Sequence, residues 1–160
     1  MRVLSFRGFL TEAVATGAGG DAAGKAFEIH VAKHIGHILR GRKGNAENHY
    51  PEHFSDESGD DPKTSAAKQK AVLGDSLHSE IDHHARRMAH HLIGHMRSRG
   101  HDLDHTSRIH WTSKPKDLER LTGKEGIKGT ADVTATHKGK YHGFSLKYSQ
   151  SGGKPSLRSP

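Results

Sequence analysis

The sequence predicts an α/β domain, a small mixed or antiparallel sheet flanked by helices near residues 22–39 and 65–98. Two observations predict it. Apolar residues recur at helical spacing in both of those stretches. The last third instead reads as strands, alternating apolar and polar residues over 130–137, with short runs at 108–112 and 141–148 beside it.

From the N-terminus, Val3, Phe6, Phe9 and Leu10 lie on one helical stripe, so residues 1–12 are expected to form a short amphipathic helical segment. A small-residue linker is expected from Ala13 to Gly24. Asp21 then caps a helix from Ala22 to Leu39, whose apolar face carries Phe27, Val31, Ile35 and Ile38. Residues 41–65 hold few apolar anchors and are expected to be a loop, with a turn at Gly59-Asp60-Asp61-Pro62. A second helix is expected to run unbroken from Ser65 to Ser98 on Val72, Leu77, Ile81, Met88, Leu92 and Met96, stopping before Gly100. Arg108 to Thr112 is a short strand, and Lys116 to Leu121 a helical turn or two. Thr130 to His137 and Tyr141 to Tyr148 are two strands of a hairpin turning at Lys138-Gly139-Lys140.

Composition narrows the function. With 31% hydrophobic residues and one Trp in 160 residues, the core is small and there is room for one domain. Lys and Arg exceed Asp and Glu by 25 to 18, and 16 His add positive charge on acidification. Such a surface favours a polyanion, most simply nucleic acid, through counterion release. The absence of Cys excludes disulfides, thiolate zinc sites and thiol nucleophiles. No apolar run approaches the ~20 residues of a membrane span, so no membrane association is expected. Residues 1–10 are too interrupted for a signal peptide.

The hairpin carries the chemistry. Pairing about the Gly139 turn is expected to bring Asp132 opposite Lys147, with Ser145 on the face of Lys147. A carboxylate beside an ammonium suits phosphodiester hydrolysis: the carboxylate holds Mg²⁺, and the lysine positions water or stabilises charge on the phosphate. The same spacing suits an ordinary cross-strand salt bridge.

Gly129-Thr130-Ala131-Asp132-Val133, the hairpin, and Phe144-Ser145-Leu146-Lys147-Tyr148 resemble the core of the PD-(D/E)XK nucleases, which include restriction endonucleases, Holliday-junction resolvases and phage exonucleases. Gly24 to Ala32 is similar to their first core helix, which often adds a glutamate to the metal site, here Glu28. Trp111-Thr112 with Asp117-Leu118 suits the segment that leads into the aspartate strand. The resemblance covers residues 24–39 and 108–149. It implies a restriction-endonuclease-like fold and DNA cleavage with Mg²⁺ or Mn²⁺ held by Asp132 and Glu28. Lys147 would stabilise charge or position water, and Ser145 would hydrogen-bond a phosphate or a metal-bound water.

The chain departs from the family pattern in two ways. Ser145 stands where the family has Asp or Glu, which makes Glu28 the replacement carboxylate, ahead of Glu119 and Glu125. Thirteen residues follow Lys147, where the family core continues with a helix and a strand, so the sheet is expected to be incomplete at its C-terminal side.

His91 and His95 are spaced i, i+4 among the histidines of 78–110, a spacing that suits Zn²⁺. Without an HExxH motif or an evident carboxylate partner, the cluster is read as a solvated polar face. Phe9-Leu10-Thr11-Glu12-Ala13 resembles the capsid-targeting segments of internal proteins of T-even-like phages, which are cut after such a glutamate. The resemblance implies a phage protein in the host cytoplasm or virion interior. Residues 1–21 are then a targeting or docking segment with its linker, and 22–160 a nuclease-like domain with a His-rich helical part at 65–110. The alternative is a non-enzymatic virion or DNA-packaging protein on a degenerate nuclease fold. Its partners would be DNA, phage structural proteins or further copies of the chain.

Overall fold

A computed structural model describes residues 8–16, 20–53, 60–114, 116–124, 131–149 and 156–158. In chain order the elements are β1 (Gly8–Thr16), α1 (Gly20–Leu39), β2 (Glu52–His53), α2 (Pro62–Leu73), α3 (Asp75–Ser98), β3 (Arg108–Trp111), α4 (Asp117–Thr122), β4 (Val133–His137), β5 (Lys140–Ser149) and β6 (Ser156–Arg158). They form a mixed α/β structure around the antiparallel strands β3, β4 and β5, in a sheet ordered β2-β3-β4-β5-β1-β6. Among the described residues no helix is long and apolar enough to cross a membrane.

Where a helical stripe was expected at the N-terminus, Gly8–Thr16 is a strand; residues 1–7 lie outside the described residues. It runs parallel to β5 from Gly8↔Tyr141 to Thr16↔Ser149, and takes β6 on its other side. Backbone pairing with β5 outweighs the weak local helical pattern of a short segment. The strand also absorbs Ala13–Thr16 of the expected linker. On the far edge of β5, where the sheet was expected to stop, the chain's own N-terminus supplies the next strand.

Two further expectations are corrected between 41 and 98. The expected loop contains a 3₁₀ turn at Ala46–Asn48, the short strand β2 and the start of α2. Asp61 caps α2 by accepting from the Thr64 N–H at 2.7 Å, with Pro62 in the first turn. The long helix is two helices, because Gly74 adopts φ 84° and breaks the hydrogen-bond ladder between α2 and α3.

One face of the sheet presents Ile109, Val133, Ala135, Phe144 and Leu146 to α1 and α3, forming the core with Phe27, Val31, Ile35, Ile81, Met88, Leu92 and Met96. The α1 helix is enclosed on more than one side, so Ile29 packs with Ala66 and Trp111, and even Lys33 is 1% exposed. That lysine donates to Glu47 Oε1 at 2.9 Å and Asp82 Oδ1 at 3.1 Å. His34 Nε2 lies 2.8 Å from the same Asp82 oxygen, and Tyr50 donates to Glu47 at 2.7 Å. A buried ammonium is tolerated here because its donors meet two carboxylates.

Candidate functional site

Three segments converge where β3 and β4 begin to part. Glu28 sits in the first half of α1 and is half-buried. Trp111, the last residue of β3, donates its indole Nε1–H to Glu28 Oε1 at 3.3 Å. Asp132 immediately precedes β4.

The hairpin register places Asp132 differently from the sequence expectation. His137 pairs with Lys140 across a two-residue turn, Lys138 and Gly139, both at positive φ (51° and 76°). Val133 therefore pairs with Phe144. The Asp132 N–H also donates to the Phe144 carbonyl, at 2.9 Å, so Asp132 and Val133 both stand opposite one residue. That is a β-bulge, an arrangement that re-aims a side chain at a strand end. The carboxylate consequently accepts from the Leu146 N–H at 2.7 Å. Its backbone carbonyl accepts from the Thr112 N–H at 2.9 Å, and the Thr112 hydroxyl donates to the Ala131 carbonyl at 2.6 Å. The aspartate is thus fixed from both neighbouring strands.

Glu28 and Asp132 lie within electrostatic reach of each other. Burial, followed by the negative charge of Asp132, pushes the Glu28 carboxyl up to about 8, against the Trp111 hydrogen bond and the charge of Lys25. At neutral pH Glu28 therefore retains its proton in the absence of a cation. Two carboxylates in electrostatic contact are hard-oxygen groups of the kind a divalent cation takes in place of a proton. Among the described residues no group of three or more His, Asp or Glu is arranged to hold a metal. The donor set at this site is two carboxylates, which fits Mg²⁺, an ion that keeps several waters and takes phosphate oxygens.

The other expected site residues are placed elsewhere. Leu146 belongs to the core face, so by strand alternation Ser145 and Lys147 occupy the opposite face from α1. Lys147 is exposed rather than paired with Asp132 across the hairpin, because the two-residue turn and the bulge set a register other than the expected one. Lys25 is a cation that acts on Glu28. Glu119 is half-buried on α4, and Glu125 lies outside the described residues. Sequence reasoning missed Lys25 and the role of Trp111. The i, i+3 spacing of Lys25 and Glu28 was the available signal for the first; nothing local signalled a contact spanning β3 and α1. On α3, His90 and His91 are exposed and His95 is half-buried.

No family model, curated protein or solved structure matches this chain.

Proposed function

We propose that this chain is a metal-dependent nuclease of the PD-(D/E)XK kind, acting on DNA, with Asp132 and Glu28 as its metal ligands. The observation that carries the reading is the meeting of two carboxylates 104 residues apart in sequence, one held in a bulge and one half-buried on α1. Mg²⁺ bound there would polarise a phosphodiester and supply hydroxide at neutral pH. The chain's own residues do the rest. The Leu146 N–H orients the Asp132 carboxylate, and the Trp111 indole orients that of Glu28. Exposed Arg86, Arg87 and Arg97 on α3 offer phosphate contacts along a duplex. Ser145 remains a candidate for phosphate contact from the other sheet face.

A supercoiled plasmid incubated with Mg²⁺ or Mn²⁺ tests this. Nicking that EDTA and Asp132→Ala both abolish supports the nuclease; its absence with every metal sinks it. The second reading, a non-enzymatic DNA-packaging or virion component from a phage, is favoured by one observation, the hydroxyl of Ser145 in place of a carboxylate. It predicts DNA binding without metal-dependent chemistry, and copurification with a protein assembly.

A further inference from the structure

We propose that Lys25, rather than the lysine of the hairpin, is the cation that contacts the substrate phosphate at the Asp132–Glu28 site. The inference rests on the nuclease reading and deepens it. A phosphate bound at that site is flanked by α1, because Glu28 is one of the two carboxylates that define it. The charge accumulating on the phosphate must be met from the same side, since Coulombic stabilisation falls with distance and more steeply through solvent.

Lys25 satisfies this requirement by its position. It stands one turn before Glu28 on α1, so the two side chains share a helix face. It is exposed, which leaves its ammonium accessible to a ligand. Lys147 fails the same requirement. Leu146 beside it points into the core that α1 packs on, so Lys147 projects from the other face of β5. A lysine on the helix supplies a point charge on a flexible stem, able to follow a phosphate next to the paired carboxylates.

The test compares Lys25→Met, Lys25→Arg and Lys147→Met in the full chain. One readout is plasmid cleavage in Mg²⁺. The other is binding of a short fluorescent duplex in Ca²⁺ against EDTA, which reads phosphate capture without turnover. Lys25→Met is expected to lose cleavage on the order of 100-fold, the scale of removing one charge-stabilising group. It should also lose most of the affinity gained with Ca²⁺, with Lys25→Arg recovering much of that gain and Lys147→Met changing it little. Lys25 is exposed, so an unchanged melting temperature accompanies these effects. An active wild type whose cleavage and Ca²⁺-dependent binding survive Lys25→Met overturns the inference and leaves the nuclease standing. A wild type with neither metal-dependent cleavage nor metal-dependent binding brings down both.

Discussion

The Trp111 indole donates to the Glu28 carboxylate at 3.3 Å, joining the end of β3 to the middle of α1 across 83 residues of sequence. This contact orients a carboxylate whose proton affinity burial and Asp132 raise, and it partly offsets that rise. Because the hydrogen bond opposes the upward shift, Trp111→Phe should push the Glu28 carboxyl higher still. Calorimetric titration with Mn²⁺ near pH 7 should then show weaker binding and greater proton release than in the wild type. In the wild type, Mn²⁺ affinity should rise with pH up to about 8 and level off above it, as Glu28 no longer has a proton to lose. Affinity independent of pH between 6 and 9 would remove Glu28 from the metal site.

Glu28 also has a signature in stability. Its pKa is about 8 in the folded chain against 4.5 for a solvated glutamate, so the folded state holds the extra proton between those values. Stability is therefore lost as pH rises from the lower to the higher value. Glu28→Gln should remove that loss and melt several degrees above the wild type at pH 8, with the difference shrinking towards pH 5. Equal melting temperatures at pH 8 would contradict the burial of this charge.

Acidification acts in the opposite sense through the histidines. Burial holds His30 down to about 3, and His110 and His142 each to about 4. An unfolded chain binds protons at these positions below about pH 6.5, whereas the folded chain does not. The stability they contribute is complete above that pH and is lost as pH falls towards 4. Thermal melts across pH 7 to 4 should show a steep decline, and His142→Gln should flatten it. A melting temperature constant over this range would refute the burial of these rings as neutral groups.

Lys33 offers a larger effect. Lys33→Ala leaves Glu47 and Asp82 facing each other and His34 without their central cation. Since both carboxylates are partly exposed, the cost should fall near the lower end of the ~3–5 kcal/mol typical of breaking a buried pair. Urea denaturation measures it, and a loss below about 1 kcal/mol would mean that the network is mere surface pairing.

Two glycines should respond with opposite signs to alanine. Gly74 has open space for a Cβ but sits at φ 84°, so Gly74→Ala should destabilise by ~1–2 kcal/mol. Gly94 lies inside α3 with equally open space, so Gly94→Ala should stabilise by roughly 1 kcal/mol. Denaturant midpoints decide both.

The N-terminal strand separates the targeting expectation from a purely structural role. Cleavage after Glu12 would divide β1 between the partners of Ser145 and Leu146 and leave Ala13–Thr16 to cover β5. A chain starting at Ala13 should melt lower and associate more readily through the uncovered strand edge. Unchanged stability and solubility would mean that the first half of β1 is dispensable, as a processed leader requires.

What the sequence determined by itself lies in stretches where one period runs unopposed: the helix ending at Leu39, the strand at 108–111, and the hairpin around Gly139. Local spacing reports which residues share a face, and that nominated Asp132, whereas Glu28 was nominated by the resemblance of its helix to a family's first core helix. The long helix was misjudged because the stripe resumes after Gly74, and spacing carries no record of a backbone angle. Tertiary structure alone decided the rest. The strand β1 exists through pairing with β5, more than 130 residues away. The two-residue turn and the bulge at Asp132 set a register in which Asp132 does not stand opposite Lys147. Enclosure of α1 buries Lys33 and raises the Glu28 carboxyl. Each depends on backbone partners and desolvation imposed from outside the segment, which no pattern within the segment encodes.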